Sequence, residues 1–169
     1  MKFRSKLTAS NLLHSLGLSY LICKQFGTGL LNGAKYLHES LPRLLTVWMQ
    51  SGTIISDLSP GENVEECMAK FNQLARFIRR LTERLPAYQF LSSLPQLISR
   101  ITHKQPLIHQ GVELMILKTL SGYPQQTIWH LMSVSRSKIA LRATRLQSIL
   151  SKSKSEIRVS TIIQVSKTN

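Results

Sequence analysis

Residues 63–84 read NVEECMAKFNQLARFIRRLTER, and this stretch decides the fold class. Its apolar side chains recur every three or four positions, which places them on one face of an amphipathic helix. The stripe consists of Val64, Cys67, Met68, Phe71, Leu74, Ala75, Ile78 and Leu81. Asn63 and Glu66 have the spacing of a capping box, so we expect Asn63 to cap the helix with its side chain. The stretch predicts a helix that packs against neighbouring helices.

Helical spacing also precedes this stretch. Apolar residues between Leu12 and Leu37 predict a first helix, which several glycines weaken. Because the residue before a proline is disfavoured in helical conformation, Pro42 predicts a break at 40–42 and a short helix at 43–50. Residues 52–61 (GTIISDLSPG) are predicted to form a loop.

Four prolines after Arg84 mark predicted helix boundaries. Pro86 predicts the start of a helix that Pro95 splits after Ser93, while Pro106 and Pro124 predict two further helix starts. Residues 106–122 are apolar nearly all round, which predicts a helix buried between neighbours. Gly122 is predicted to be its C′ glycine. A last helix is predicted at 138–150.

These six to eight helices with short connections predict an all-α fold. The architecture that we expect is an irregular α-solenoid of antiparallel helix pairs, because no strict internal repeat is visible. The predicted scaffold covers residues 1–150. Residues 151–169 are rich in Ser and Lys and are predicted to form a poorly ordered tail.

The chain is strongly basic, with a formal net charge of +14. From Ser133 onward there are eight Lys or Arg and one acid, Glu156. This charge is compatible with contact with nucleic acid, an anionic membrane or an acidic protein partner. We favour a solvated basic face on one piece of a larger protein, because no base-stacking module or known DNA-binding spacing accompanies the charge. The candidate contact residues for nucleic acid are a stripe on the last predicted helix, formed by Lys138, Arg142 and Arg145.

No catalytic motif is present in the sequence. His103 and His109 are separated by Pro106 and therefore do not share a helix face, and the eight acids show no evident carboxylate pair. We predict no catalytic, cofactor-binding or metal-binding residue. The basic N-terminus precedes a run of seventeen uncharged residues that superficially resembles a signal peptide. Asn11, His14 and Ser15 interrupt the run, and it is short and polar for a membrane span, so we predict neither secretion nor a membrane partner.

Four bulky or reactive side chains are assigned to the interior. Cys23 and Cys67 lie on apolar helix faces, where a free cysteine behaves as a small hydrophobe, and we expect a reducing compartment. Trp48 and Trp129 are the two tryptophans of the chain and are predicted to be core residues.

Three blocks of sequence, in the same order, resemble the FAT region of ATR-type DNA-damage checkpoint kinases, which belong to the phosphatidylinositol-3-kinase-related kinase family. The first combines GAKY at 33–36 with SLPRLLTVW at 40–48, the second is LPQLISRI at 94–101, and the third is YPQQTIWHLMSVSRSKIALR at 123–142. The second block also resembles kinases of the TOR type. The residues that carry the resemblance are Pro42, Arg43, Trp48, Pro95, Gln96, Arg100, Tyr123, Pro124, Gln125, Gln126 and Trp129.

The resemblance implies a curved helical-repeat scaffold that braces a C-terminal serine/threonine kinase domain. The parent kinase is implied to be nuclear, to respond to DNA damage and stalled replication, and to work with an obligate regulatory protein. ATP and a divalent metal are implied only for the kinase domain, whose motifs are absent from this sequence. We therefore expect a partial product whose partners are that kinase domain and the neighbouring repeats, with residues 123–128 as a buried helix start.

Overall fold

The computed structural model describes residues 9–33, 35–58, 63–135 and 139–167. Within these ranges the chain forms helices and no strand, which confirms the all-α prediction. The helices are α1 (Ala9–Asn32), α2 (Leu37–Ser56), α3 (Val64–Arg84), α4 (Ala87–Leu91), α5 (Leu94–Ser99), α6 (Pro106–Gly122), α7 (Pro124–Ser135) and α8 (Ala140–Lys167). Among the residues described, no helix combines the length and the hydropathy that crossing a membrane requires.

The helices are divided between two compact units. The first contains the residues up to Leu85 together with Lys104–Ile108, and so holds α1, α2 and α3. The second contains Pro86–His103 and the residues from His109 onward, and so holds α4, α5, α7, α8 and most of α6.

Helix α3 forms where its apolar stripe predicts it, and it buries Phe71, Leu74 and Ile78 in the core of the first unit. The predicted capping box is wrong. Asn63 adopts a left-handed backbone conformation (φ 72°) and makes no side-chain capping hydrogen bond. A capping residue ordinarily has an extended backbone, which aims its side chain at the first free amides. Instead, the Asn63 carbonyl accepts a hydrogen bond from the Cys67 amide at 3.0 Å.

Helix α2 is longer than predicted at both ends. The predicted break at 40–42 is wrong, because Pro42 lies inside the helix. A proline there lacks an amide and crowds the preceding turn, at a cost of about 3 kcal/mol. Burial of many side chains along α2 offsets this cost, and these are Leu37, Leu41, Leu44, Leu45, Trp48, Met49, Ser51 and Ile55.

The same burial carries α2 into the segment predicted as a loop. The loop prediction is wrong for residues 52–56, which are helical, and residues 59–62 lie outside those described. Helices α1 and α2 are joined by only four residues, and the Cys23 thiol of α1 donates a hydrogen bond to the Leu44 carbonyl of α2 at 3.7 Å. The two helices therefore run antiparallel, as predicted.

After Arg84 the proline signals are confirmed. The backbone is extended at Pro86 before α4, and Pro95 occupies the first turn of α5. Helices α6 and α7 begin at Pro106 and Pro124. Gly122, however, is the last residue of α6, and no described glycine has a positive φ, so its assignment as a left-handed C′ residue is wrong.

Helix α8 starts two residues after the predicted position and continues beyond Leu150 to Lys167. No proline or glycine follows Ala140, so the sequence contains no residue that stops the helix. The boundary that we predict at residue 150 thus does not coincide with a helix end, and the tail predicted to be poorly ordered is helical as far as Lys167.

A close approach within the first unit occurs at Gly52 of α2. A Cβ atom added there would lie 2.7 Å from Ile108 Cδ1, closer still to Ile108 Cγ1, and 3.4 Å from Phe71 Cζ. Ile108 and Phe71 are both fully buried. Gly52 therefore allows α2 to contact these two side chains directly.

Replacing Gly52 with alanine should destabilise the protein. Overpacking lowers the free energy of unfolding by roughly 1–3 kcal/mol. The higher helix propensity of alanine raises it by about 1 kcal/mol. We expect the free energy of unfolding, measured by urea denaturation, to fall by about 1 kcal/mol. The matched control is Gly29→Ala in α1, where the added Cβ meets nothing within 4 Å and stability should rise. Equal stability of the two variants would contradict the close approach.

Both cysteines are free and buried, as predicted. The environment of Cys23 is apolar, and burial raises the pKa of its thiol from 9.0 to about 12. Burial is also the main cause that raises the pKa of Cys67. A thiol with a raised pKa stays protonated in the folded protein, where it acts as an apolar side chain.

The raised pKa of Cys23 predicts a specific loss of stability in alkali. The stabilising contribution of the neutral thiol is complete below pH 9 and is lost as the pH rises towards 12, because the unfolded chain ionises first. Between pH 8 and pH 10 we expect a loss of about 1.4 kcal/mol that Cys23→Ala does not show. Urea denaturation of both proteins at the two pH values measures it. If the difference in free energy of unfolding between the wild type and Cys23→Ala is the same at both pH values, the prediction is wrong.

Candidate functional site

Two arginines of α8 lie at the carboxyl end of α5. Arg145 Nη1 donates hydrogen bonds to the carbonyl oxygens of Ile101 at 2.6 Å and His103 at 3.4 Å. Arg142 Nη2 donates to the Ser99 carbonyl at 3.4 Å. Carbonyls at a helix end lack amide partners within the helix. Arg142 satisfies such a carbonyl at Ser99, the last residue of α5, while Arg145 makes charge-assisted hydrogen bonds to two carbonyls of the segment that follows α5.

These contacts give the predicted basic stripe a structural role. Arg142 and Arg145 are half-buried and directed at backbone carbonyls of their own unit, while Lys138 lies outside the residues that the structure describes. Contact of the stripe with nucleic acid stays a prediction. Sequence reasoning missed the arginine contacts because their acceptors are 42 to 44 residues away, where no local pattern points to them.

The larger part of the first resemblance block, residues 40–48, lies on α2. Trp48 is buried, which confirms its prediction as a core residue, whereas Arg43 is exposed and Pro42 is half-buried. The indole Nε1 of Trp48 is buried and has no hydrogen-bond partner among the residues described. This block therefore contributes packing to the first unit.

The second block lies on α5. Pro95 and Arg100 are exposed, and Gln96 is half-buried with its backbone carbonyl accepting a hydrogen bond from Ser99 Oγ at 2.7 Å. The buried side chains of α5 are Leu94, Leu97 and Ile98. Helix α5 contacts α7 within the second unit, so the second and third blocks are brought together.

The third block lies on α7, and here two predictions are wrong. Trp129 is 74% exposed and is not a core residue. Pro124, Gln125 and Gln126 are also exposed, so residues 123–128 are not a buried helix start.

Both predictions are wrong because α7 buries the face opposite Trp129. Helix α7 buries Thr127, Leu131 and Val134, which follow one another at spacings of four and three. At about 100° per residue, Trp129 lies roughly 200° around the helix from Thr127, on the outer side. Thr127 Oγ1 also donates to the Tyr123 carbonyl at 2.7 Å, which satisfies its hydroxyl inside the unit.

The outer side of α7 carries a second apolar stripe. Gln125, Ile128, Trp129 and Met132 follow the i, i+3, i+4, i+7 pattern and form what we call the α7 outer face. Ile128 and Met132 are 44% and 47% exposed. The face exposes apolar area and one amide side chain.

Metal ligands do not converge in the described parts of the chain. No group of three or more His, Cys, Asp or Glu side chains there is arranged to hold a metal ion. The features of the second unit that we consider as candidates are the arginine contacts of α8 and the α7 outer face.

Antiparallel helices with short connections define a protein of the helical-repeat class. A family model described as "Serine/threonine-protein kinase ATR-like, HEAT repeats" matches residues 73–168, more than half of the chain. The chain therefore belongs to this family of ATR-like HEAT-repeat regions, whose fold class is the all-α solenoid predicted from the sequence.

Individual relatives agree with the family. The serine/threonine-protein kinase ATR of Oryza sativa subsp. indica is 36% identical over 131 residues, which cover 77% of this chain and 5% of the relative. Protein kinase rad3 of Schizosaccharomyces pombe is 32% identical over 137 residues, 76% of this chain and 6% of the relative. ATR of Arabidopsis thaliana is 34% identical over 125 residues, 74% of this chain and 5% of the relative.

The chain spans only about a twentieth of the length of these curated relatives. No solved structure matches it significantly. The predicted resemblance to ATR-type kinases is confirmed for the family, and the matching region is one of HEAT repeats.

Removing the guanidinium of Arg145 should destabilise the second unit. Arg145→Met keeps the aliphatic stem but leaves the carbonyls of Ile101 and His103 without this donor. The loss of hydrogen bonds to a charged group predicts a decrease of about 1–3 kcal/mol in the free energy of unfolding, measured by urea denaturation.

The control is Arg79→Met in α3. Arg79 is exposed, and its Nε lies 3.4 Å from Glu83 Oε1, a surface pair at i, i+4 that is worth about 0.5 kcal/mol or less. If the two variants lose the same stability, the hydrogen bonds of Arg145 do not hold α8 to the end of α5.

Proposed function

We propose that the chain is a non-catalytic scaffold segment of an ATR-like checkpoint kinase, lying in the FAT region and bracing the serine/threonine kinase domain. The observation that carries the proposal is the match of residues 73–168 to the HEAT repeats of ATR-like kinases. The sequence itself has no ATP-binding lysine, catalytic-loop aspartate or metal-binding aspartate in a kinase pattern.

The proposed role assigns the chemistry to the rest of the parent protein. ATP and a divalent metal bind in the kinase domain, and this chain binds no cofactor. Its partners are that kinase domain, the neighbouring repeats and the regulatory protein of ATR-type kinases, with no membrane contact. The parent acts in the nucleus, in the response to DNA damage and replication stress and in DNA repair.

The internal contacts suit a bracing element. A scaffold transmits position only if its helices hold fixed places, and the arginines of α8 tie that helix to the end of α5. In the first unit, a Cβ atom added at Gly52 of α2 would overlap Ile108, so the packing there is tight. Both contacts support a rigid role within their own unit.

A chimera tests the scaffold role. In Schizosaccharomyces pombe rad3, the segment of about 137 residues that matches this chain is replaced by the corresponding residues of this chain. We expect the chimera to retain kinase activity, and the Arg145→Met chimera to lose it at a lower temperature than the Arg79→Met chimera. The chain alone should transfer no phosphate from ATP. A folded but inactive chimera, or phosphate transfer by the chain alone, would contradict the proposal.

The second candidate function is a basic module that binds nucleic acid. It is favoured by the eight basic residues and single acid from Ser133 onward. The use of Arg142 and Arg145 as donors to backbone carbonyls speaks against it. Fluorescence anisotropy with single- and double-stranded DNA distinguishes the nucleic-acid-binding module from the scaffold. Binding through phosphate contacts should weaken steeply between about 50 and 200 mM salt.

A further inference from the structure

We propose that the Asn32-Gly33 dipeptide, at the junction of α1 and α2, is a site of spontaneous deamidation that weakens this helix pair. Asn32 is the last residue of α1, and Gly33 begins the four-residue connection to α2. Both residues are exposed. The modification needs water and no enzyme or cofactor, and it does not depend on the proposed scaffold role.

The residue after each asparagine decides how readily its side chain reacts. The following backbone amide must approach the asparagine side chain, and a side chain on that following residue hinders the approach. Leucine follows Asn11, valine follows Asn63 and glutamine follows Asn72. Only Asn32 is followed by glycine, which has no Cβ atom and the greatest backbone freedom. The sequence therefore singles out Asn32.

The reaction uses atoms of these two residues and one water molecule. The backbone nitrogen of Gly33 loses its proton and attacks Cγ of Asn32, where a C–N bond forms. The bond between Cγ and Nδ2 breaks, and the amide group leaves as ammonia after taking up a proton. Water then adds to either carbonyl carbon of the resulting cyclic imide. Ring opening gives aspartate or isoaspartate at position 32.

The end of α1 gives the reacting groups the freedom that this attack requires. Asn32 must rotate out of helical conformation, and the last turn of a helix opens at a free-energy cost near zero. A Cβ atom added at Gly33 would meet nothing within 4 Å in the described chain, so no side chain packs against this residue. Asn72, in contrast, lies in the middle of α3, where the hydrogen bonds of the helix hold its backbone.

Conversion changes both the charge and the length of the junction. A carboxylate at the carboxyl end of α1 lies at the negative end of the helix dipole, which is unfavourable. Isoaspartate routes the main chain through the side chain and so adds a carbon atom next to a connection of four residues. This connection sets the position of α1 against α2, where Cys23 donates a hydrogen bond to the Leu44 carbonyl. We therefore expect conversion to destabilise the helix pair.

The test follows the full 169-residue chain during incubation at physiological temperature, in neutral and in mildly alkaline buffer. Mass spectrometry of tryptic peptides reports the asparagines separately, because Asn32 falls in residues 25–35 and Asn72 in residues 71–76. Peptide 25–35 should gain the mass difference between an amide and a carboxyl group, and faster at the higher pH, because hydroxide removes the amide proton of Gly33. Peptide 71–76 should stay unchanged.

Two glycine variants locate the reacting amide. Gly33→Ala should slow the conversion of Asn32 at least several-fold and keep the fold, because the added methyl group meets nothing within 4 Å. Gly17→Ala changes an equally open glycine in the first half of α1 and should leave the rate unchanged. Wild-type chains converted at Asn32, separated from unconverted chains by ion exchange, should unfold at a lower urea concentration.

Three results would overturn the proposal. Equal rates of conversion in the wild type and Gly33→Ala would show that the amide of Gly33 is not the nucleophile. Conversion of Asn32 only in chains unfolded by urea would show that the folded end of α1 protects its side chain. Equal unfolding midpoints of converted and unconverted chains would show that the modification leaves the helix pair as stable as before.

Discussion

Helices shorter than about twelve to fifteen residues are only marginally stable in water, so the short helices of the second unit depend on tertiary contacts. Helix α4 has five residues and α5 has six, so neither is stable without tertiary contacts. Phe90 of α4 and Leu94, Leu97 and Ile98 of α5 are buried, and the carbonyls of Ser99, at the end of α5, and of Ile101, just after it, accept hydrogen bonds from α8. The long helix α8 therefore stabilises a short helix that lies more than forty residues earlier in the chain.

The parts of the fold that sequence predicted correctly are those with local causes. The stripe of α3 and the helix starts at Pro86, Pro106 and Pro124 each depend on a few adjacent residues. The errors have distant causes. Pro42 and Gly52 are helix-breaking residues by local rules, yet both lie inside α2 because its buried face and the close contact with Ile108 outweigh their propensities.

The candidate site illustrates the same limit. Periodicity showed that α7 carries apolar residues, but this helix has two apolar sides, and spacing alone does not tell which one is buried. Thr127 turned out to mark the inner side and Trp129 the outer side. The basic stripe was visible in the sequence, whereas its carbonyl partners near the end of α5 could be found only in the folded chain.

The two buried thiols bear on how the protein responds to oxidants. Peroxides react with thiolates, and a thiol whose pKa is about 12 supplies almost none at neutral pH. Cys23 is also enclosed by packed side chains, so an oxidant reaches it only after α1 and α2 separate. An oxidised Cys23 therefore marks a chain that has already opened, and the folded form carries no redox sensor at this position.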